Sequence, residues 1–159
     1  MQEYHTLASI NHHPKIQKMR AEEVPVNNSY LLAPCGINCG ICKAYLRKNK
    51  PCLGCNIDSP HKSKSITICS IKNCPSLKAK NSNFCSSCET LPCKRLKQLH
   101  QRYSAKYHVN ILENLKEINN HGAEYFFASD IQKWTCPQCQ HLISMHIGVC
   151  ANCGTPIQL

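Results

Sequence analysis

Apolar side chains follow a helical period in one part of this 159-residue chain, between residues 94 and 134. Three short helices are predicted there, because apolar residues three and four positions apart fall on one helix face. Pro92 suits the first turn of the first helix, and Gly122 suits the end of the second. The apolar faces consist of Leu96, Leu99 and Tyr103, then Ile111, Leu112, Leu115 and Ile118, then Ala123, Phe127 and Ile131.

The remaining residues show no sustained helical or strand period. The first 33 residues are polar and charge-balanced, which predicts a flexible arm with a short extended stretch at 29–33. A short helical run is predicted at 43–48, after the third cysteine. We divide the chain into four parts: the arm (1–33), the cysteine-rich body (34–93), the helical connector (94–134) and the ribbon (135–159).

Cysteine supplies fourteen of the residues, and five pairs of neighbouring cysteines are separated by two residues. This spacing lets two thiolates converge on one ion, whereas disulfide bonds are the alternative that an even count allows. The first residues lack the basic and apolar stretches of a secretory signal, and no window approaches the roughly 18 apolar residues of a membrane span. We therefore expect a cytoplasmic protein without a membrane partner, whose reduced thiols bind metal.

The last four cysteines have the strongest ligand spacing in the chain, Cys136-x2-Cys139-x10-Cys150-x2-Cys153. Two such turns across a short hairpin supply the four soft donors of a tetrahedral zinc site. Four protein ligands leave no position for water, so the ion is expected to be structural and not catalytic. His141 and His146 lie on the hairpin and are not expected to bind the ion, because the sulfurs complete its shell.

The ten cysteines of the body exceed the needs of two four-thiolate sites by two. One site is predicted at Cys39, Cys42, Cys52 and Cys55, and another at Cys69, Cys74, Cys85 and Cys88. Cys35 and Cys93 could replace members of either set or join His61 in a further site, and interleaved pairing stays open. Two or three zinc ions are therefore expected. Because thiolates also bind iron, an iron–sulfur cluster within 35–93 is an alternative.

The formal net charge of +10 is unevenly distributed. Residues 24–106 contain fourteen lysines and arginines against two acids, while 135–159 contain no Lys, Arg, Asp or Glu. Each zinc ion with four thiolates contributes about −2, so two such sites would lower the charge of 24–106 from +12 to about +8. Offsetting metal centres is the favoured role of these cations, and phosphate binding is the alternative. The candidate phosphate contacts are Lys62, Lys64, Lys94, Arg95, Lys97 and Arg102.

The sequence favours a protein partner slightly over nucleic acid. Aromatic residues that could stack on bases are scarce in the body, which has only Tyr45 and Phe84. The uncharged ribbon suits protein contact through Leu142, Ile143, Met145 and Ile147. No phosphate-binding glycine loop, nucleophile elbow or paired-carboxylate site is evident, so a non-catalytic protein is favoured over an enzyme.

The cysteine pattern resembles that of a known family. Its motifs are Cys35-Gly-x2-Cys39-x2-Cys42-x2-Tyr45, Cys52-x-Gly-Cys55, Cys69-x-Ile-Lys-x-Cys74 and Cys85-x2-Cys88-x3-Pro92-Cys93. Over roughly residues 34–100 they resemble a cysteine-rich domain of unknown function, number 3795, which is presumed to bind zinc. The ribbon is similar to a tail on some members, except that Gln140 stands where a glycine usually follows the first cysteine pair. The resemblance implies metal binding and brings no activity.

Together these observations predict a small, metal-stabilised protein of α+β or irregular fold. It has a cysteine-rich zinc-binding body, a short helical segment and a four-cysteine zinc ribbon. The predicted function is a non-catalytic binding or adaptor module with structural zinc. The alternatives are an iron–sulfur or redox accessory protein and a zinc protein that binds nucleic acid.

Overall fold

The computed structural model describes residues 19–24 and 28–157. Regular structure in this part is helical, and no β-sheet forms there; strand-like pairing is limited to isolated bridges such as Thr135 with Leu142. None of these helices is long and apolar enough to cross a membrane. The α-helices are α1 (Lys64–Thr67), α2 (Pro75–Ala79), α3 (Lys94–Tyr107), α4 (Ile111–His121) and α5 (Ala123–Lys133). Single 3₁₀ turns occupy Ala21–Glu23, Ser29–Leu31, Cys39–Ile41 and Cys85–Ser87.

The three helices predicted from the apolar period are α3, α4 and α5. α4 begins after Asn110, whose side chain accepts a hydrogen bond from the Glu113 amide at 3.0 Å, and it ends before Gly122. α3 begins later than Pro92 suggested, because Cys93 is its N-cap and Pro92 stays outside the helix. The small, mostly helical and irregular character of the fold follows from these elements, and the β part reduces to isolated bridges.

Two local predictions in the body and arm are wrong. Residues 43–48 form turns and not a helix, and 29–31 form a 3₁₀ turn and not an extended stretch. The chain reverses near residue 46, so that the Cys52 amide donates to the Ala44 carbonyl at 2.9 Å. This reversal buries Leu46 completely, and the burial of this apolar side chain favours the turns over a short exposed helix.

One cluster of buried residues connects the body, the three long helices and the ribbon. Every residue from 31 to 41 is buried, although this stretch has little regular structure. Trp134 and Ile143 bring the end of α5 and the ribbon into the same cluster. The predicted division into four parts remains a prediction, and the part of the predicted arm at 1–18 lies outside the described residues.

The buried stretch is fixed against the helices by polar contacts. The Asn38 side chain donates to the Asp130 carboxylate of α5 at 3.0 Å and accepts from the Gly40 amide at 2.9 Å. Asn114 of α4 donates to the Gly36 carbonyl at 2.9 Å. Burial raises the pKa of Asp130 to about 6, although the hydrogen bond from Asn38 acts in the opposite direction and lowers it.

Candidate metal centre

The four ribbon cysteines converge on one point. Their sulfur atoms all lie within 4.8 Å of one another, which makes them a group that could hold a metal ion. The Cys136–Cys153 and Cys139–Cys150 sulfur pairs are 3.5 Å apart, and the Cys139–Cys153 pair is 3.4 Å apart. A tetrahedral zinc ion with bonds of about 2.3 Å sets its sulfurs about 3.8 Å apart. The donor set therefore fits one tetrahedral ion after a small expansion.

Two turns with the same hydrogen bonds position these sulfurs. In the first turn the Gln140 amide donates to the Cys136 carbonyl at 2.9 Å, and the Cys136 amide donates to the His141 carbonyl at 2.8 Å. In the second, the amides of Gly154 and Cys150 make the equivalent bonds, to the carbonyls of Cys150 and Thr155. The fifth residue of each turn has a positive φ, 59° at Gln140 and 77° at Gly154. The chain thus forms the predicted pair of turns although Gln140 replaces the expected glycine.

The electrostatics of the ribbon site are uneven. Burial raises the pKa of Cys150 to about 12. By contrast, hydrogen bonds from the hydroxyl and amide of Thr155 hold the pKa of Cys153 at about 6. Buried thiols in contact do not all ionise without a cation between them, because each thiolate raises the pKa of its neighbours. The arrangement can therefore bind a soft cation and offers no isolated nucleophile.

The two ribbon histidines are engaged elsewhere. His141 Nδ1 lies 2.9 Å from the Cys139 carbonyl oxygen. His146 packs edge-on against Tyr103 and Tyr107 of α3, with ring centroids 6.0 and 4.6 Å away. Among the described residues, the group of ligand atoms within 4.8 Å consists of sulfurs alone.

In the body, the predicted first set of cysteines lies around the turn at residues 39–41. The Cys55 amide donates to the Cys39 sulfur at 3.4 Å, and the Cys42 amide donates to the Cys39 carbonyl at 3.0 Å. The chain reversal near residue 46 returns Cys52 and Cys55 to this turn. These sulfurs do not meet the 4.8 Å distance that defines the ribbon group, within the part of the chain that the structure describes.

A buried lysine adjoins this first set. The side chain of Lys62 is 2% exposed, and its ammonium donates to the Cys55 carbonyl at 2.9 Å. Its carboxylate neighbour, Asp58, is 3.8 Å away and 92% exposed, so water screens most of that attraction. A buried ammonium is costly unless an anion is close by, and thiolates at Cys52 and Cys55 would supply one. The burial of Lys62 was not evident from the sequence.

The predicted phosphate contacts have different surroundings. Lys62 is removed from solvent, whereas Lys64 at the start of α1 is exposed. On α3, Lys94 and Lys97 are exposed, and Arg95 donates to the Ser70 carbonyl at 2.9 Å. Four of the six candidates, Lys94, Arg95, Lys97 and Arg102, thus remain on one exposed helix.

Threonine hydroxyls next to the cysteines were missed in the sequence. Thr155 lies 3.2 Å from the Cys153 sulfur, and Thr90 lies 3.3 Å from the Cys88 sulfur. Both threonines stand two positions after the second cysteine of a Cys-x2-Cys pair, at residues 85–90 and 150–155. This shared Cys-x2-Cys-x-Thr spacing is the signal that could have revealed them.

Comparison with known proteins gives one match. Residues 31–98 match the model of a family described as "Protein of unknown function (DUF3795)". The matched stretch contains all ten cysteines of the body and the start of α3, and the ribbon lies beyond it. This confirms the family resemblance for the body. No curated protein and no protein of known structure matches the chain.

Proposed function

We propose that this protein is a non-catalytic binding or adaptor module whose ribbon is held by a structural zinc ion. The observation that carries the proposal is the convergence of four ribbon sulfurs within 4.8 Å. Zinc is the preferred ion because four thiolates in a tetrahedron are its usual structural donor set. Since the protein fills all four positions, no site for water or substrate remains on the ion, and the metal serves the fold.

The shape of the ribbon supports this structural role. Residues 135–157 are connected by isolated bridges and turns in place of a sheet. They nevertheless place Leu142, Ile143 and Met145 in the core, each at most 4% exposed. A short hairpin that forms no sheet is only marginally stable, and an ion joining its two turns would supply a further constraint.

A protein partner remains the favoured one, but through a different surface. Of the four ribbon residues predicted to contact a partner, Leu142, Ile143 and Met145 are buried in the core and are not free to do so. Ile147 is only partly buried against the core. Apolar side chains are instead exposed around the turn at 52–55. Leu53 and Tyr30 are each 44% exposed, Ile57 is 37% exposed, and the neighbouring Asn56 side chain donates to the Tyr30 carbonyl. These exposed apolar side chains suit an apolar segment of another protein, with the exposed Asp58 beside Ile57 at the edge of the surface.

Nucleic-acid binding is the second candidate because of the exposed cations of α3. Lys94, Lys97 and Arg102 are exposed on that helix, and phosphate contacts require such access. If they bind phosphates, affinity for single-stranded and double-stranded nucleic acid should fall steeply with salt. An affinity that does not change with salt would eliminate this candidate.

Metal identity tests the main proposal and separates it from the iron–sulfur alternative. The full chain should be purified without oxygen, then measured for zinc, iron and sulfide together with its absorption spectrum. We expect zinc and no band near roughly 400 nm. A brown protein with iron and sulfide but no zinc would overturn the zinc assignment. The variant Cys150→Ser should lose one ion, and a protein that kept its full metal content would refute the ribbon site.

A further inference from the structure

A second group of four cysteines surrounds one small cavity in the body. Cys74, Cys85, Cys88 and Cys93 line a cavity of about 30 Å³, and the rest of its lining consists of Thr90, Arg95 and four apolar side chains. This volume exceeds the roughly 10–15 Å³ that one water-sized sphere needs, so it has room for a single ion. Cys69, which belongs to the sequence-predicted set, is not among the lining residues, and Cys93 takes its place.

The local structure presents these sulfurs from four points on the chain. Cys74 precedes α2 as its N-cap, and Cys93 precedes the fourteen-residue α3 in the same way. Cys85 and Cys88 begin and follow a 3₁₀ turn, and the Cys88 amide donates to the Cys85 carbonyl at 3.0 Å. The Cys85 amide donates to the Pro34 carbonyl at 2.8 Å, which attaches this turn to the buried stretch.

The Cys85–Cys88 turn repeats a feature of the ribbon site. Cys85-x2-Cys88-x-Thr90 has the same spacing as Cys150-x2-Cys153-x-Thr155. In both, the threonine hydroxyl lies close to the second sulfur, at 3.3 Å for Thr90 and 3.2 Å for Thr155. A hydroxyl donor stabilises a thiolate, so the same device serves both clusters.

Cationic groups also surround this cavity. Arg95 lines it and is positioned by its hydrogen bond to the Ser70 carbonyl. The N-terminus of α3 carries the positive end of a helix dipole beside Cys93. A centre of four thiolates and one divalent ion has a charge of about −2, which these groups would offset.

We propose that Cys74, Cys85, Cys88 and Cys93 form a second four-thiolate metal centre, distinct from the ribbon and suited to a zinc ion. It rests on the proposed function in assuming that the chain binds zinc through thiolates. No three of these four sulfurs, all in the described part of the chain, lie within 4.8 Å of one another, so the centre requires them to move closer together around the ion. Six of the ten body cysteines are then not ligands of this centre, and Cys35 and Cys69 are the two that also lie outside the set predicted at Cys39, Cys42, Cys52 and Cys55.

Zinc content per chain tests the proposal, measured by elemental analysis and native mass spectrometry on the full chain. Cys88→Ser and Cys93→Ser should each bind one ion fewer than the wild type. Cys69→Ser is the matched control from the same body and should retain every ion. Loss of an ion from Cys69→Ser with retention in Cys93→Ser would overturn the ligand set, and retention in Cys88→Ser would overturn the centre itself.

Two further variants keep the test decisive. Cys88→Ser combined with Cys150→Ser should lose two ions; a loss of one would show that both thiols serve a single site. If Cys88→Ser does not fold, Cys88→His retains a ligand for the ion. Its cobalt-substituted form should show an altered visible spectrum relative to the wild type, and an unchanged spectrum would refute ligation by Cys88. If the ribbon does not bind an ion, the single variant Cys150→Ser keeps its full zinc content. That result is distinguishable from failure of the second centre.

Discussion

Substitution of Gly36 tests how tightly the cysteine-rich body packs on the helices. Gly36 has a φ of 84° and lies against α4. The Cβ of an alanine there would be 2.9 Å from Leu115 Cγ and 3.1 Å from the Ile111 carbonyl oxygen. Neither neighbour can move easily, because both residues are fully buried and the second contact is with backbone.

The expected loss has two parts. A non-glycine residue in the left-handed region costs about 1–2 kcal/mol, and overpacking a dense core costs about 1–3 kcal/mol. The lower entropy of the unfolded alanine chain returns about 0.4–1 kcal/mol. Gly36→Ala should therefore lower the free energy of unfolding by about 1–4.5 kcal/mol.

Gly148 provides the matched control. Its φ is 72°, yet a Cβ built there meets nothing within 4 Å. Gly148→Ala should lower the free energy of unfolding only through the backbone conformation, by about 0–1.5 kcal/mol. The difference between the two variants therefore measures the cost of the packing clash at Gly36. Denaturant unfolding of the metal-loaded protein can be followed by fluorescence of Trp134, the single tryptophan, which is 2% exposed. Variants that agree within about 0.5 kcal/mol would refute the proposed contact between the body and α4.

Two other substitutions follow from local strain and burial. Gln140→Gly should stabilise the protein by up to about 1 kcal/mol in denaturant unfolding, because Gln140 adopts a φ of 59°; a less stable variant would show that the turn is not strained. Burial raises the pKa of Asp130 from 3.8 to about 6, so its contribution to stability is highest below pH 3.8 and falls as pH rises through 6. Asn cannot ionise, so the stability of Asp130→Asn relative to wild type should increase by about 1 kcal/mol between pH 5 and 8. Since both proteins contain the same thiols, the pH dependence of metal binding cancels, and a constant difference would contradict the raised pKa.

The helices and the ribbon were predictable from sequence for simple reasons. Apolar residues three and four positions apart share one face only in an α-helix. The helices α3, α4 and α5 therefore follow from the pattern. Two Cys-x2-Cys pairs separated by ten residues have one economical arrangement, and the ribbon sulfurs adopt it. The left-handed conformation of Gln140 follows from the same turn, since its partner position holds Gly154.

The body was less predictable because its candidate ligands are chemically identical and follow no single spacing. Ten thiols without a sequence period can be grouped in many ways. Which of them lie close together depends on how the irregular loops fold. Cys93, which four residues separate from Cys88, was left outside both predicted sets, yet the start of α3 directs it to the same cavity. The burial of residues 31–41 was also not evident, because an irregular segment leaves no periodic signal.

The central claim is that metal ions hold this chain in its fold, and removing them under reducing conditions tests it most directly. After chelation, we predict that Trp134 becomes solvent-exposed, with red-shifted fluorescence, and that amide hydrogens of the ribbon exchange rapidly. Added zinc should restore both signals. A metal-free, fully reduced protein that keeps Trp134 buried and its ribbon amides protected would contradict the claim.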